Sequence, residues 1–179
     1  MYYLTTQRLF IFSILISFQL ITSAQNWNEV IKIVSSDRAE NDNFGYTVDI
    51  SGDYAIVGAY EEDENATGGD TLSSAGSAYI LHNINGTWTE VQKIVASVRA
   101  ENDQFGFSVS ISNNFAIVGA VLEDESPSGG STRPGAGRSY IFENSDGTWS
   151  EVQKIVASDR ADGDNFGHSV AISGNYAIV

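Results

Sequence analysis

Apolar and polar residues alternate in short runs along most of this chain, and no stretch sustains the recurrence of a helix with one buried face. Tyr46, Val48 and Ile50 alternate with Thr47 and Asp49, which predicts a half-buried strand, and Phe107 to Ile111 and His168 to Ile172 read the same way. Each run is followed by a pair that tolerates positive φ, as a tight hairpin requires: Gly52-Asp53, Asn113-Asn114 and Gly174-Asn175. The segment Tyr54 to Ala59 is nearly all apolar, which predicts a second strand covered on both faces. A long loop runs from Tyr60 to Gly76 and leads into a third strand, Ser77 to Leu81, with Ser139 to Glu143 in the next copy. Asn85-Gly86 and Asp146-Gly147 mark another tight hairpin. The fourth strand begins at Trp88 and carries Val91, Ile94 and Val95.

These elements recur with a period of 61 residues and no insertion. Trp27, Trp88 and Trp149 keep that spacing, as do Lys32, Lys93 and Lys154. So do Phe44-Gly45, Phe105-Gly106 and Phe166-Gly167. Four antiparallel strands per repeat predict an all-β fold of β-propeller blades. A β-solenoid is the competing architecture, but its coils are usually shorter and lack three hairpins per unit.

The two ends are read separately. Residues 1–24 hold one charge, Arg8, then an apolar run from Leu9 to Leu20 and a small-residue end at Thr22-Ser23-Ala24. This is the pattern of a secretory signal peptide cleaved after Ala24. The run is short for a membrane anchor, which needs about 20 apolar residues. Residues 25–36 are expected to form a lone outer strand, 37–97 blade 1, 98–158 blade 2 and 159–179 part of blade 3. Two copies and a part are too few to close a ring, which typically needs about 4–8 blades, so an incomplete, truncated propeller is expected.

Charge narrows the partners. The chain carries 23 acidic and 9 basic residues, a net charge of −14. Such a surface repels phosphate backbones, so nucleic acid and anionic membranes are poor partners and no nucleic acid is expected, nor a membrane span after leader cleavage. It suits cations and basic ligands, or serves solubility alone. There is no cysteine, so disulfides and thiolate metal sites are excluded.

Strand order sends the tight turns to one end of each blade and the long loops and blade links to the other. Binding residues concentrate on long loops held by a rigid scaffold. That end is acidic. The links hold Asp37, Glu40 and Asp42, then Glu101 and Asp103, then Asp159, Asp162 and Asp164. The loops hold Glu62, Asp63 and Glu64, then Glu123, Asp124 and Glu125. These acids form the candidate binding face for a cation or a basic or cation-bridged ligand; the alternative is an acidic rim for solubility. His168 aligns with Tyr46 and Phe107 and is expected to fill an aromatic slot. The three tryptophans and the Phe-Gly pairs are expected to be structural, with sugar stacking as the alternative role for the tryptophans. Asn65-Ala66-Thr67 and Asn85-Gly86-Thr87 fit the pattern of a glycosylation acceptor.

The run Phe-Gly-x-Ser-Val-x-Ile, a turn, then Ala-Ile-Val-Gly-Ala, as at Phe105 to Ala120, resembles the FG-GAP repeat of integrin α-type propellers and exported bacterial proteins. The proline that ends the family motif is absent, since Tyr60 and Val121 follow the Gly-Ala pairs. The resemblance implies a secreted or cell-surface module for adhesion or binding of an extracellular protein or glycan. Integrin-type repeats also carry an Asp-rich calcium loop between the first two strands. Here that place holds only Ser51-Gly52-Asp53, Ser112-Asn113-Asn114 and Ser173-Gly174-Asn175, too few oxygens for calcium. No cofactor is therefore required, and calcium remains an open possibility elsewhere. No nucleophile–histidine–acid set stands out, so a non-enzyme is expected. A propeller hydrolase or lyase with its site in further blades, and a structural cell-envelope component, are the alternatives.

Overall fold

A computed structural model describes residues 28–29, 31–69, 71–125 and 132–179. The chain divides into two units, Met1–Lys32 and Ile33–Val179, and the blades belong to the second. The leader expected over residues 1–24, and Trp27, lie outside the described residues.

The second unit is all β among its described residues. The first sheet contains β1 (Thr47–Ser51), β2 (Tyr54–Ala59), β3 (Ser77–Ile84) and β4 (Thr87–Ile94). The second contains β5 (Phe105–Ser112), β6 (Phe115–Ala120), β7 (Arg138–Ser145) and β8 (Thr148–Ile155). The hairpin β9 (Ala171–Ser173) and β10 (Tyr176–Ile178) comes last. Each four-stranded sheet runs in sequence order with every neighbour antiparallel. These are propeller blades, and they do not close into a ring. The outer strand expected over residues 25–36 is absent from the described residues of that span.

The hairpins follow from their turn residues. Asn85 and Gly86 both have positive φ, 54° and 86°, as do Asp146 and Gly147, 53° and 87°. Two successive positive φ values give the turn whose twist matches the flanking strands. The third strands run longer than the sequence pattern implied, to Ile84 and Ser145. The register places Arg138 opposite Ala120 just as Ser77 stands opposite Ala59. Arg138, rather than Ser139, therefore opens the third strand of blade 2. A charged residue at a strand's first buried position hides that start from a hydrophobic pattern.

Adjacent blades meet backbone to backbone. A Cβ on Gly58 would run into the Gly106 carbonyl oxygen, and a Cβ on Gly106 into that of Ser77. Gly119 meets Gly167 in the same way one repeat later. The Phe-Gly and Gly-Ala glycines thus permit close approach of neighbouring blades. Polar bonds then lock the first strands together. Asp49 accepts bonds from the Ser110 hydroxyl at 2.7 Å and the Ile111 N–H at 2.8 Å. Ser51 accepts from the Asn113 N–H at 3.1 Å, and Ser112 from the Gly174 N–H at 3.0 Å. On the outer strands the Gln92 side chain bonds both the N–H and the C=O of Trp149, at 2.9 and 2.7 Å.

The core lies in and between the sheets. Ile56, Ile80, Phe105, Val118 and Tyr140 belong to one buried cluster. Trp149 joins it at 2% exposure, whereas Trp88 is only half-buried, so packing is the role of the former. Phe105 is fully buried, with its ring edge-on to Tyr140 at 5.4 Å, while Phe44 and Phe166 are half-buried. His168 stands beside Phe107 at 5.0 Å between ring centres, and Phe107 beside Tyr46 at 5.3 Å. The histidine occupies the aromatic slot its alignment indicated.

Candidate functional site

The acids of the long-loop end separate into three groups by what their side chains touch. The first is a buried charge network. In blade 1 the Lys93 ammonium, on β4, lies 2.6 Å from Asp37 and 2.7 Å from Glu62. Glu62 also accepts a bond from the Ser77 hydroxyl at 2.5 Å and one from the Glu64 N–H at 2.9 Å. The Tyr79 hydroxyl donates to Asp37 at 2.9 Å. Burial pushes the Asp37 carboxyl up, but Lys93 and Tyr79 outweigh it and leave the group below its ordinary value. Burial, reinforced by the bond to Asp37 and by the charges of Glu62 and Asp37, pushes the Tyr79 hydroxyl up.

Blade 2 solves the same problem with different residues. Glu123 stands where Glu62 stands, and it is fully buried. Its cation is Arg138 at 2.5 Å, on β7 in the position of Ser77. Tyr140, in the place of Tyr79, donates to Glu123. Burial raises the Glu123 carboxyl above its ordinary value, and Tyr140 and Arg138 offset only part of that rise. The counterpart of Asp37 is Val98, so no second acid needs neutralising. Lys154, the counterpart of Lys93, turns aside to within 3.8 Å of Glu151 and is part-exposed. One internal cation per blade is preserved, while the strand that supplies it changes.

The second group caps backbone. Asp42, Asp103 and Asp164 each accept a bond from the N–H three residues earlier, at 2.6, 2.7 and 2.6 Å. They fix the turn of each blade link. Burial pushes the Asp103 carboxyl up to about 7, helped by Glu123, Glu125 and Asp124 and opposed by its bond from Ala100. Asp63 and Asp124 close the long loops, accepting from the Ser74 and Gly135 N–H groups at 2.7 and 2.8 Å. In the same loop the Glu125 carbonyl accepts from Arg138 at 2.6 Å.

The third group points outward. Glu40, Glu101 and Asp162 occupy one repeat position, are exposed, and make no hydrogen bond or ion pair among the described residues. Asp159 is also exposed. Asp42, Glu62, Asp103 and Glu123, assigned from sequence to the open face, are instead buried. They answer internal N–H groups and cations that a one-dimensional pattern does not reveal. The residues missed from the site are Arg138 and the partnership of Lys93 with Glu62; the recurrence of lysine at 61-residue spacing was the available signal.

Among the described residues, Asp37, Glu62 and Glu64 have oxygens within 4.8 Å of one another, a spacing compatible with a metal ion. The Lys93 ammonium already neutralises two of the three. An open groove of about 710 Å³ passes this network, lined in part by Asp37, Thr67, Glu90 and Lys93.

No curated protein matches this sequence. The model of the FG-GAP repeat matches three stretches, residues 27–81, 88–142 and 149–179. The matches start at Trp27, Trp88 and Trp149, one repeat apart, and each runs on into the strands that follow it. By these matches and by its blades, the chain belongs to the FG-GAP repeat family.

Proposed function

We propose that this chain is a non-catalytic binding module of the extracellular space or cell surface, whose ligand is basic or bridged by a cation. The supporting observation is the row of Glu40, Glu101 and Asp162. Capping and burial account for most of the neighbouring acids, but these three carboxylates have no internal task and stay acidic in every copy. Backbone bonds tie the link of Glu101 to the loop before it. In the second link the Asn102 and Gln104 N–H groups bond the Ser73 and Ser74 carbonyls of the preceding loop, at 2.8 and 3.0 Å. Exposed carboxylates that recur once per repeat attract a polycation through their summed charge. Fluorescence anisotropy of a labelled oligolysine tests this. Saturable binding that weakens as salt rises is expected; no binding at low salt would leave the row as a solubility device.

A further inference from the structure

Two stretches of the chain carry the Asn-x-Thr pattern, and the fold treats them differently. Asn85 lies in the two-residue turn between β3 and β4, and Thr87 is already paired with Ile84 in the ladder. That acceptor is clamped inside a hairpin. Asn65 lies in the long loop of blade 1, where residues 66–69 are exposed. Its side-chain oxygen accepts from the Thr67 N–H at 2.9 Å, the Thr67 hydroxyl at 2.8 Å and the Gly69 N–H at 3.2 Å. Its amide nitrogen donates to nothing among the described residues. The turn is short, closed by bonds between Asn65 and Gly69 at 2.9 Å and between Gly68 and Asn65 at 3.0 Å. Two residues ahead of Asn65 stands the exposed Asp63, whereas Asn83 precedes Asn85. A carboxylate there offers a transferase a charged contact beside the acceptor.

We propose that Asn65 is a glycan acceptor, modified by an oligosaccharyltransferase from a polyprenyl-pyrophosphate-linked oligosaccharide. The bond from Asn65 Nδ2 to C1 of the first sugar forms as the bond from C1 to the pyrophosphate oxygen breaks. The polyprenyl pyrophosphate leaves with the bonding pair, and Nδ2 yields one of its two protons to a base of the transferase. Nothing is oxidised or reduced. Ala66, Thr67 and Gly68, the residues that follow Asn65, line the groove that passes Asp37 and Lys93.

The purified, folded full chain is incubated with a single-subunit oligosaccharyltransferase and a polyprenyl-pyrophosphate glycan, and the product is read by intact mass and site-localising fragmentation. One glycan on Asn65 is expected, unchanged in Asn85→Gln and lost in both Asn65→Gln and Thr67→Val. The threonine variant keeps the acceptor amide, and melting curves confirm that both variants fold. A glycan on Asn85 in place of Asn65 overturns the proposal. So does an unmodified chain in a reaction that modifies a free peptide of residues 61–69.

Discussion

Arg138 and Glu123 form an ion pair inside blade 2, 2.5 Å apart with side-chain exposures of 1% and 0%. Removing one partner of such a pair leaves an uncompensated charge, at a cost of about 3–5 kcal/mol. Arg138→Ser, which installs the residue of blade 1, is expected to destabilise the chain by about that amount in urea unfolding. Adding Val98→Asp rebuilds the blade 1 arrangement, with Lys154 free to turn inward, and is expected to recover part of the loss. A double variant no more stable than the single one would separate the two networks.

Lys93 plays the matching part in blade 1, 2.7 Å from Glu62. Because its ammonium already stands between Asp37 and Glu62, the melting temperature of the natural chain is expected to be the same in calcium and in chelator. Lys93→Met exposes Asp37, Glu62 and Glu64 to one another. The variant is expected to lose about 3–5 kcal/mol and to regain part of it with calcium, seen as a saturable rise in melting temperature. Calcium stabilisation of the unaltered chain would contradict this arrangement.

The approach of Gly58 to Gly106 sets the blade spacing. Gly58→Ala places a methyl against the Gly106 carbonyl, and backbone has little room to yield. A loss of about 1–3 kcal/mol or more is expected in chemical unfolding, while Gly69→Ala, which meets no atom within 4 Å, serves as the near-neutral control. Equal effects of the two would refute close packing at that seam.

Asp103 gives stability a pH dependence of known sign. Its carboxyl is pushed up to about 7 in the folded chain, against 3.8 as the ordinary value. Between these limits the folded state binds the proton that the unfolded state releases, so this group favours folding as pH falls through 7 towards 3.8, and the contribution is lost as pH rises through 7. Asp103→Asn removes the titration and keeps an acceptor for the Ala100 N–H. The natural chain is expected to gain on the variant when melting is compared at pH 5 rather than pH 8. A difference that is flat or of opposite slope would show that Asp103 is ordinary.

The blades were legible because their signals are local. Hairpin turns need residues that accept positive φ, and Asn85-Gly86 announces one without reference to anything else. The repeat supplied the rest, since three copies in register identify Phe105 and Trp149 as elements of one plan. The acids were not legible at the same level. Asp42 and Glu40 are two residues apart and both carry a carboxylate, yet one turns inward to cap the Ala39 N–H and the other faces water. That choice depends on the turn of the link. Glu62 needed a cation 31 residues away on β4, and Glu123 needed one from β7, a strand whose start the charge of Arg138 concealed.

The decisive measurement compares two triple variants, Glu40→Gln/Glu101→Gln/Asp162→Asn and Asp42→Asn/Asp103→Asn/Asp164→Asn, for oligolysine affinity and melting temperature. Both replace three carboxylates of the blade links with amides. The first is expected to weaken binding at least tenfold with little change in melting, and the second to shift melting while retaining most of the affinity. Equal loss of binding in the two would reduce the row of outward carboxylates to a share of the general acidity, and no loss in the first would remove it from ligand recognition altogether.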